Sequence, residues 1–410
     1  MAGLTVAPFG IAPRRHGQNT RRRMSQPLLS AAPASPRRRS KKVMLLAAGF
    51  AALFTLGLCE LCCTAVVRLG FVPARVPPYA ITASKATFWG DLSSEFGAWH
   101  PPLTQYRHQK ACFDVLYESN SYGARDVERQ KTSTAFRVVA LGDSFMEGFG
   151  VRREDRLSDL IESRTGIACL NFGTSGNAGS AHAYAIYRSL ASQFEHGAVL
   201  ASILPENDFD DDEPKPDRYQ PYWSGSHPDY ELRFSSERVS DSAWSATQQD
   251  QGVTLVSLLR DFTHTQNVID LVYSGFKQRR TQRKFEGDFS TPESRFFRYS
   301  KDEFLRLTWS YERLAALAAP RPLVLFTIPR IADLAAISKE GRSPLDEELA
   351  AWAAKQPNVR FVALARLILG GGGDEASAMF LSCDPHWNAH GHARAAELLL
   401  AECGDALKPK

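Results

Sequence analysis

The stretch Phe136-Arg-Val-Val-Ala-Leu-Gly-Asp-Ser-Phe-Met-Glu-Gly-Phe-Gly-Val151 decides the fold. Its first six residues read as a short, mostly apolar strand that breaks at Gly142. Asp143 and Ser144 then stand at the carboxyl end of that strand, where open α/β sheets carry their chemistry. Ser144 is therefore a candidate nucleophile. Working outward, the same order of strand, polar turn and helix returns. Leu157, Leu160 and Ile161 give helical spacing to residues 156 to 164. A strand over 167 to 172 runs into Asn171-Phe-Gly-Thr-Ser-Gly176, and a helix is expected over 181 to 194. The next strand, 198 to 204, runs into Pro205-Glu-Asn-Asp208. After residue 300 the spacing predicts helices at 302 to 317, 344 to 354 and 389 to 403, and strands at 322 to 328 and 359 to 364. Such alternation implies a five-stranded parallel sheet between two helical layers, an α/β/α sandwich. Each polar turn follows a strand, so all of them gather on one edge of the sheet.

Between Phe209 and about Ser300 the pattern dissolves into an insertion. It holds acids at 208 to 213, aromatics from Tyr219 to Tyr230, one expected helix over 255 to 276, and a basic run at Arg279, Arg280, Arg283 and Lys284. The acidic turn lacks the Gly and distal Glu of a calcium loop, and a solvated turn is its plainer reading. The basic run reads as solvated surface, with an anionic glycan or lipid head group as the alternative. Gly370 to Gly373 is expected to be a loop. No Lys-Ser/Thr follows it, so it is not a phosphate loop.

The 410 residues suffice for a large core, with 44% apolar and 23% charged residues. The net charge of +4 conceals an asymmetry: residues 1 to 42 carry eight Arg, two Lys and no acid, which leaves the remainder near −6. That body has no electrostatic footprint for nucleic acid. Residues 1 to 42 lack periodicity and are expected to be a disordered basic tail. Residues 43 to 67, VMLLAAGFAALFTLGLCELCCTAVV, form a 25-residue apolar run with one charge, Glu60. As a helix it covers about 37 Å against a hydrocarbon core of about 30 Å. The reading is an uncleaved transmembrane anchor; a cleaved signal has a shorter apolar core. A mitochondrial transit peptide is the competing reading of the Arg-rich tail. Arg37, Arg38, Arg39, Lys41 and Lys42 precede the run, so the tail is expected in the cytoplasm and the body outside. Glu60 reads either as a functional carboxylate or as a protonated or snorkelling one. Residues 68 to 134 form a Pro-rich lead segment, with a strand expected over 112 to 117, and the main domain follows over 135 to 405. An oxidising compartment permits disulfides among Cys112, Cys169, Cys383 and Cys403, in pairings that spacing does not separate.

Just before the last helix stands Cys383-Asp-Pro-His-Trp-Asn-Ala-His-Gly-His392. A serine hydroxyl needs a base to take its proton, and the imidazole needs an acceptor on its other nitrogen. His386 and Asp384 supply both from one loop. An oxyanion needs preorganised donors, for which the Gly176 backbone N–H and the Asn207 side-chain amide stand at the ends of the next two strands. Asp384 as a cap of the final helix, and His386, His390 and His392 as a metal site, are the competing readings.

Gly142-Asp-Ser-Phe145, Asn171 to Gly176, Asn207-Asp208 and Asp384-Pro-His386, in this order, resemble the four blocks of the SGNH/GDSL hydrolase family. The resemblance covers about residues 135 to 402 and implies a flavodoxin-like sheet order. It gives Ser144 as nucleophile and first oxyanion donor, Gly176 and Asn207 as the other donors, and Asp384 and His386 as acid and base. No cofactor or metal is implied. The family usually spaces Asp three residues before His; here Cys383 holds that place and the acid is two before. A two-residue spacing followed by Trp is similar to the alginate O-acetylation branch. Pro205-Glu206 also departs from the Gly common in that block, and Asn120 to Asp126 looks like the lead of membrane-anchored bacterial members. The implied activity is an extracytoplasmic esterase or O-acyltransferase on carbohydrate esters, a transferase needing a separate membrane protein as acyl donor. The alternative is a non-catalytic glycan-binding or assembly module on the same fold.

Overall fold

The computed structural model describes residues 40–81, 88–175, 178–215, 218–235, 253–287 and 294–409. The disorder expected of residues 1 to 42 thus falls almost wholly outside the described residues. The chain divides into two compact units, Met1–Thr55 and Leu56–Lys410. Helix α1 (Lys41–Arg68) covers the apolar run and is long and apolar enough to cross a membrane.

In the second unit, two antiparallel hairpins come first: β1 (Gly90–Ser93) with β2 (Gly97–Trp99), and β3 (Gln105–Lys110) with β4 (Phe113–Glu118). The main sheet is built from β5 (Val138–Leu141), β6 (Cys169–Asn171), β7 (Ala198–Ile203), and two later strands. Between these come α2 (Ser144–Glu147), α3 (Leu157–Thr165), α4 (Ser180–Ser189) and α5 (Pro205–Asp211). The insertion holds a hairpin, β8 (Pro221–Ser224) with β9 (Glu231–Phe234), then α6 (Leu255–Phe262) and α7 (His264–Gly287). The sequence pattern had one helix over 255 to 276. The chain instead breaks at Thr263, whose backbone is extended (φ −131°, ψ 141°), and α7 continues to Gly287. The hairpin was not foreseen, because strands of four residues leave too little alternation to detect. The fold then runs through α8 (Lys301–Ala318), β10 (Leu323–Thr327), α9 (Ile331–Glu340), α10 (Pro344–Ala353), β11 (Val359–Val362), α11 (Leu364–Leu369), α12 (Gly373–Ala378) and α13 (Ala389–Cys403). The expected loop at 370 to 373 is thus a turn whose last glycine opens α12.

The main sheet has the order β11-β10-β7-β5-β6, and all its pairs are parallel. In chain order this is 2-1-3-4-5, with the switch of direction between β5 and β7. Right-handed crossovers from β5 to β6 and from β6 to β7 run in opposite directions and place α3 and α4 on opposite faces. α13 packs with α3, and α8 with α4. Strands covered on both faces need no polar side, which is why β5, β7 and β10 are buried at every position.

Candidate active site

The nucleophile candidate is made by the way β5 ends. Gly142 sits at φ +155°, and a Cβ there would collide with the Ser202 side chain of the neighbouring strand. Asp143 then caps the short helix α2, its Oδ1 accepting from the Phe145 N–H at 3.0 Å. Ser144, the first residue of α2, is thereby held beside the switch point of the sheet.

His386 comes from the other end of the chain. Its Nε2 lies 2.7 Å from Ser144 Oγ. Its ring stacks on Phe149 at 4.1 Å between centroids and meets Phe145 at 4.7 Å, so two residues of the α2 turn restrain its rotation. Asp384 Oδ1 lies 2.5 Å from His386 Nδ1 and also accepts from the His386 backbone N–H at 3.2 Å. The two-residue spacing therefore closes a small ring in which one oxygen orients both groups. Asp384 does not cap the last helix; Asn388 does, accepting from the Gly391 N–H at 2.9 Å.

The other carboxylate oxygen of Asp384 accepts from Lys110 Nζ at 2.6 Å. Burial favours the neutral acid, but the hydrogen bond and charge of His386, and then Lys110, outweigh it and hold Asp384 well below the usual carboxylate range. Lys110 ends β3, two residues before Cys112, and Cys112 is disulfide-bonded to Cys383 beside the acid. This bond settles the open pairing: Cys169 and Cys403 are free and buried, where burial raises their thiols. Lys110 carried no signal of its own in the sequence. It lies 274 positions from Asp384, and the Cys112–Cys383 pair would have been the pointer to it.

On the oxyanion side, a cavity of about 200 Å³ is lined by Asp143, Ser144, Thr174, Ser175, Ala178, Asn207 and Asp211. Gly176 lies outside the described residues. Asn207 is an exposed residue of the first turn of α5, which opens with Pro205 at its first position. Proline's fixed φ suits that place, so the absent glycine leaves a helix start instead of a loop. Asn207 and its acidic neighbours are thus helical, which corrects the turn expected there. Asp143, Asp208, Asp211 and Asp212 cluster beneath the cavity. Burial pushes Asp143 up to about 7 and Asp212 to about 6, and raises Asp208 and Asp211. Raising the carboxyls in this direction weakens the negative charge they set against an anion in the cavity.

A second buried network, also unforeseen, supports the turn before Gly176. Glu147 is fully buried. It accepts from Trp89 Nε1 at 3.0 Å and from Ser175 Oγ, and His100 Nε2 lies 3.3 Å away. Burial favours its neutral form, but His100, Arg125 and Ser175 hold its carboxyl below the ordinary value. Arg125 donates to the carbonyls of Glu147, Gly148 and Val151 at 2.7 Å each, with its guanidinium 3.5 Å from the Tyr117 ring centroid. The lead segment, Asn120 to Asp126 included, therefore supports the Ser144 turn from behind.

His392 is buried with its ring edge-on to Trp387, and burial pushes its imidazole down to about 3. His182, buried in α4, lies 3.0 Å from the carbonyl of Ala98. Among the described residues, no group of three or more His, Cys, Asp or Glu is arranged to hold a metal.

No protein-family profile matches the chain, and no curated protein does. Solved structures do match at low identity. A member of the lipolytic G-D-S-L family from Veillonella parvula DSM 2008 is 12% identical, over 66% of this chain and 99% of that one, with a TM-score of 0.35. Phospholipase A1 from Streptomyces albidoflavus NA297 is 13% identical, over 66% and 100% of the two chains, with a TM-score of 0.35. A putative acylhydrolase from Bacteroides fragilis NCTC 9343 is 12% identical, over 68% and 92%, again at 0.35. Likeness at this level carries no argument about chemistry, which rests on the site itself.

Proposed function

We propose that the chain is a serine esterase or O-acyltransferase of the SGNH/GDSL type, anchored by α1 with its catalytic domain outside the cytoplasmic membrane. One observation carries the reading: Ser144 Oγ lies 2.7 Å from His386 Nε2, whose Nδ1 is held by Asp384. This is the relay of nucleophile, base and orienting acid that acyl transfer requires. His386 takes the hydroxyl proton as Ser144 Oγ attacks the ester carbonyl. The Ser144 N–H, the Gly176 N–H and the Asn207 amide receive the oxyanion. As the tetrahedral species collapses, His386 returns the proton to the departing alcohol, leaving an acyl-serine. Water, or a sugar hydroxyl in a transferase, then attacks the acyl carbonyl while giving its proton to His386, which passes it to Ser144 Oγ as the acyl–serine bond breaks. Acyl esters of envelope or exported polysaccharide are the substrate class, by the resemblance of the sequence blocks and the anchored topology. A transferase would take its acyl group from a membrane partner.

Release of 4-nitrophenol from 4-nitrophenyl acetate tests the reading. Ser144→Ala is expected to reduce the rate to that of the uncatalysed reaction plus residual binding, a loss of about 10³-fold or more. Equal rates in the two proteins would remove the enzyme reading and leave a non-catalytic module. Added oligosaccharides that divert the acyl group from water identify a transferase; unchanged water partitioning identifies a hydrolase.

A further inference from the structure

We propose that α6 and α7 form an interfacial hairpin whose apolar face lies in the outer leaflet of the membrane that α1 crosses. This rests on the reading of α1 as a membrane span. The argument begins at Glu60, the one charge inside the apolar run. Its carboxylate accepts from the backbone N–H groups of His264 at 2.7 Å and Thr265 at 3.0 Å, the first two residues of α7. Thr64 Oγ1, one turn further on, lies 3.0 Å from His264 Nδ1. A carboxylate at a helix N-terminus satisfies donors that have no partner within the helix and suits the helix dipole. The charge within the apolar run is thereby explained as a cap, and its depth fixes the depth of the α6–α7 corner. Glu60 precedes Arg68, the first charge after the run, by eight residues, or about 12 Å of helix. The run itself exceeds a hydrocarbon core by about 7 Å. Glu60, and the start of α7 with it, therefore sits some 5–10 Å inside the outer boundary, the level at which amphipathic helices lie in a bilayer.

The surface of the hairpin matches that placement. Leu255, Leu259 and Phe262 recur at helical spacing on α6, and Ile269, Val272 and Phe276 on α7, yet all six are solvent-exposed, Leu255 by 72% and Phe276 by 68%. Two stripes at i, i+3/i+4, i+7 are the pattern of buried helix faces, and a soluble surface does not carry such a patch without a partner. The segment leaving the membrane continues it. The Tyr79 N–H donates to the Asp261 carbonyl at 3.0 Å, and Tyr79 and Ile81 are exposed beside the corner. The occupant is thus the lipid already required by the span.

α7 also reaches the catalytic loop. Gln278 Nε2 lies 3.4 Å from the carbonyl oxygens of Leu381 and Asp384. His264 and Gln278 are 14 residues apart, or about 21 Å. The hairpin would hold the Ser144–His386 site within that reach of the bilayer, where esters carried on lipids or handed over by a membrane partner are presented.

The test uses the full chain reconstituted in phosphatidylcholine vesicles, with p-benzoylphenylalanine replacing one residue at a time and lipid adducts read by mass. Phe276 and Leu255 probe the hairpin, and Phe50 probes the span. Leu317, exposed at the end of α8 on the opposite edge of the sheet, is the control. Adduct yields at Phe276 and Leu255 comparable to that at Phe50, and several-fold above that at Leu317, are expected. Adducts at Phe50 with only the Leu317 background at the two hairpin positions, or protein–protein adducts in their place, would overturn the proposal while leaving the anchor intact. Absence of adducts at Phe50 would remove the span and the hairpin's placement with it, and would not touch the serine chemistry.

Discussion

Removing Lys110 tests whether the site is a relay of four groups instead of three. Its ammonium lies 2.6 Å from the Asp384 oxygen that His386 does not use. A charge-assisted hydrogen bond contributes about 1.5–3 kcal/mol when shielded from water. The Lys110 side chain is 43% exposed and that of Asp384 7%, so screening reduces this to about 1–1.5 kcal/mol. At 1.36 kcal/mol per decade, Lys110→Met should lower kcat/KM about 5- to 15-fold. Asp384→Asn should cost about 10³-fold or more, because it removes the negative charge that fixes the Nδ1–H tautomer and stabilises the imidazolium. A merely structural lysine would lose stability along with rate, and the thermal midpoint separates the two. Lys110→Met should lose rate with its midpoint unchanged, because the Lys110 side chain is 43% exposed. Lys110→Arg should keep the rate close to wild type. A midpoint that falls in step with the rate, or a Lys110→Met rate within twofold of wild type, would refute the argument.

Two further perturbations follow from the same geometry. The Cys112–Cys383 bond closes a separation of 271 residues, for which chain entropy gives about 5.6 kcal/mol and measured disulfides commonly about 2–4 kcal/mol. Cys112→Ser/Cys383→Ser should lower the urea midpoint accordingly and slow phosphonate labelling of Ser144; an unchanged midpoint and labelling rate would count against a positioning role. Burial raises the folded carboxyls of Asp143 and Asp212 to about 7 and about 6, above the usual carboxylate range. Their contribution to stability is therefore fully present below about pH 4 and lost as pH rises through about 6 and 7. Asp143→Asn, which keeps the oxygen that caps α2, should gain thermal midpoint relative to wild type between pH 5 and 8; parallel curves would show that Asp143 already ionises normally.

The sheet was legible because β5, β7 and β10 are covered on both faces and read as unbroken apolar runs. Ser144, His386 and Asp384 were legible because each stands in a short polar block, after a strand or ahead of the last helix, whose spacing has a chemical reason. The shortened interval between Asp384 and His386 looked like a departure only because sequence spacing does not reveal that one oxygen serves both the ring and the backbone of His386. Lys110, Glu147 and Arg125 were not legible. Each acts through a contact made across the fold, and an isolated Lys, Glu or Arg has no periodicity to mark it. Asn207 lines the cavity beside Ser144 from a helix and not from the expected turn, since Pro205 starts a helix where a glycine would have allowed a loop.

The cap at Glu60 bears on how a shortened form of the protein should be cut. Starting the chain just after Arg68 removes the whole of α1 and with it the carboxylate that accepts from the amides opening α7. Those donors, and the His264 ring beside Thr64, would then lose the partners that α1 supplies. The compact unit itself begins at Leu56, so the last three turns of α1 belong, in packing, to the larger unit. A secreted version is best begun at Leu56, with polar replacements on the exposed side of that remnant such as Leu58 and Leu61. Glu60 and Thr64 would be kept, so that most of the apolar run is removed while the last turns of α1 stay as part of the fold.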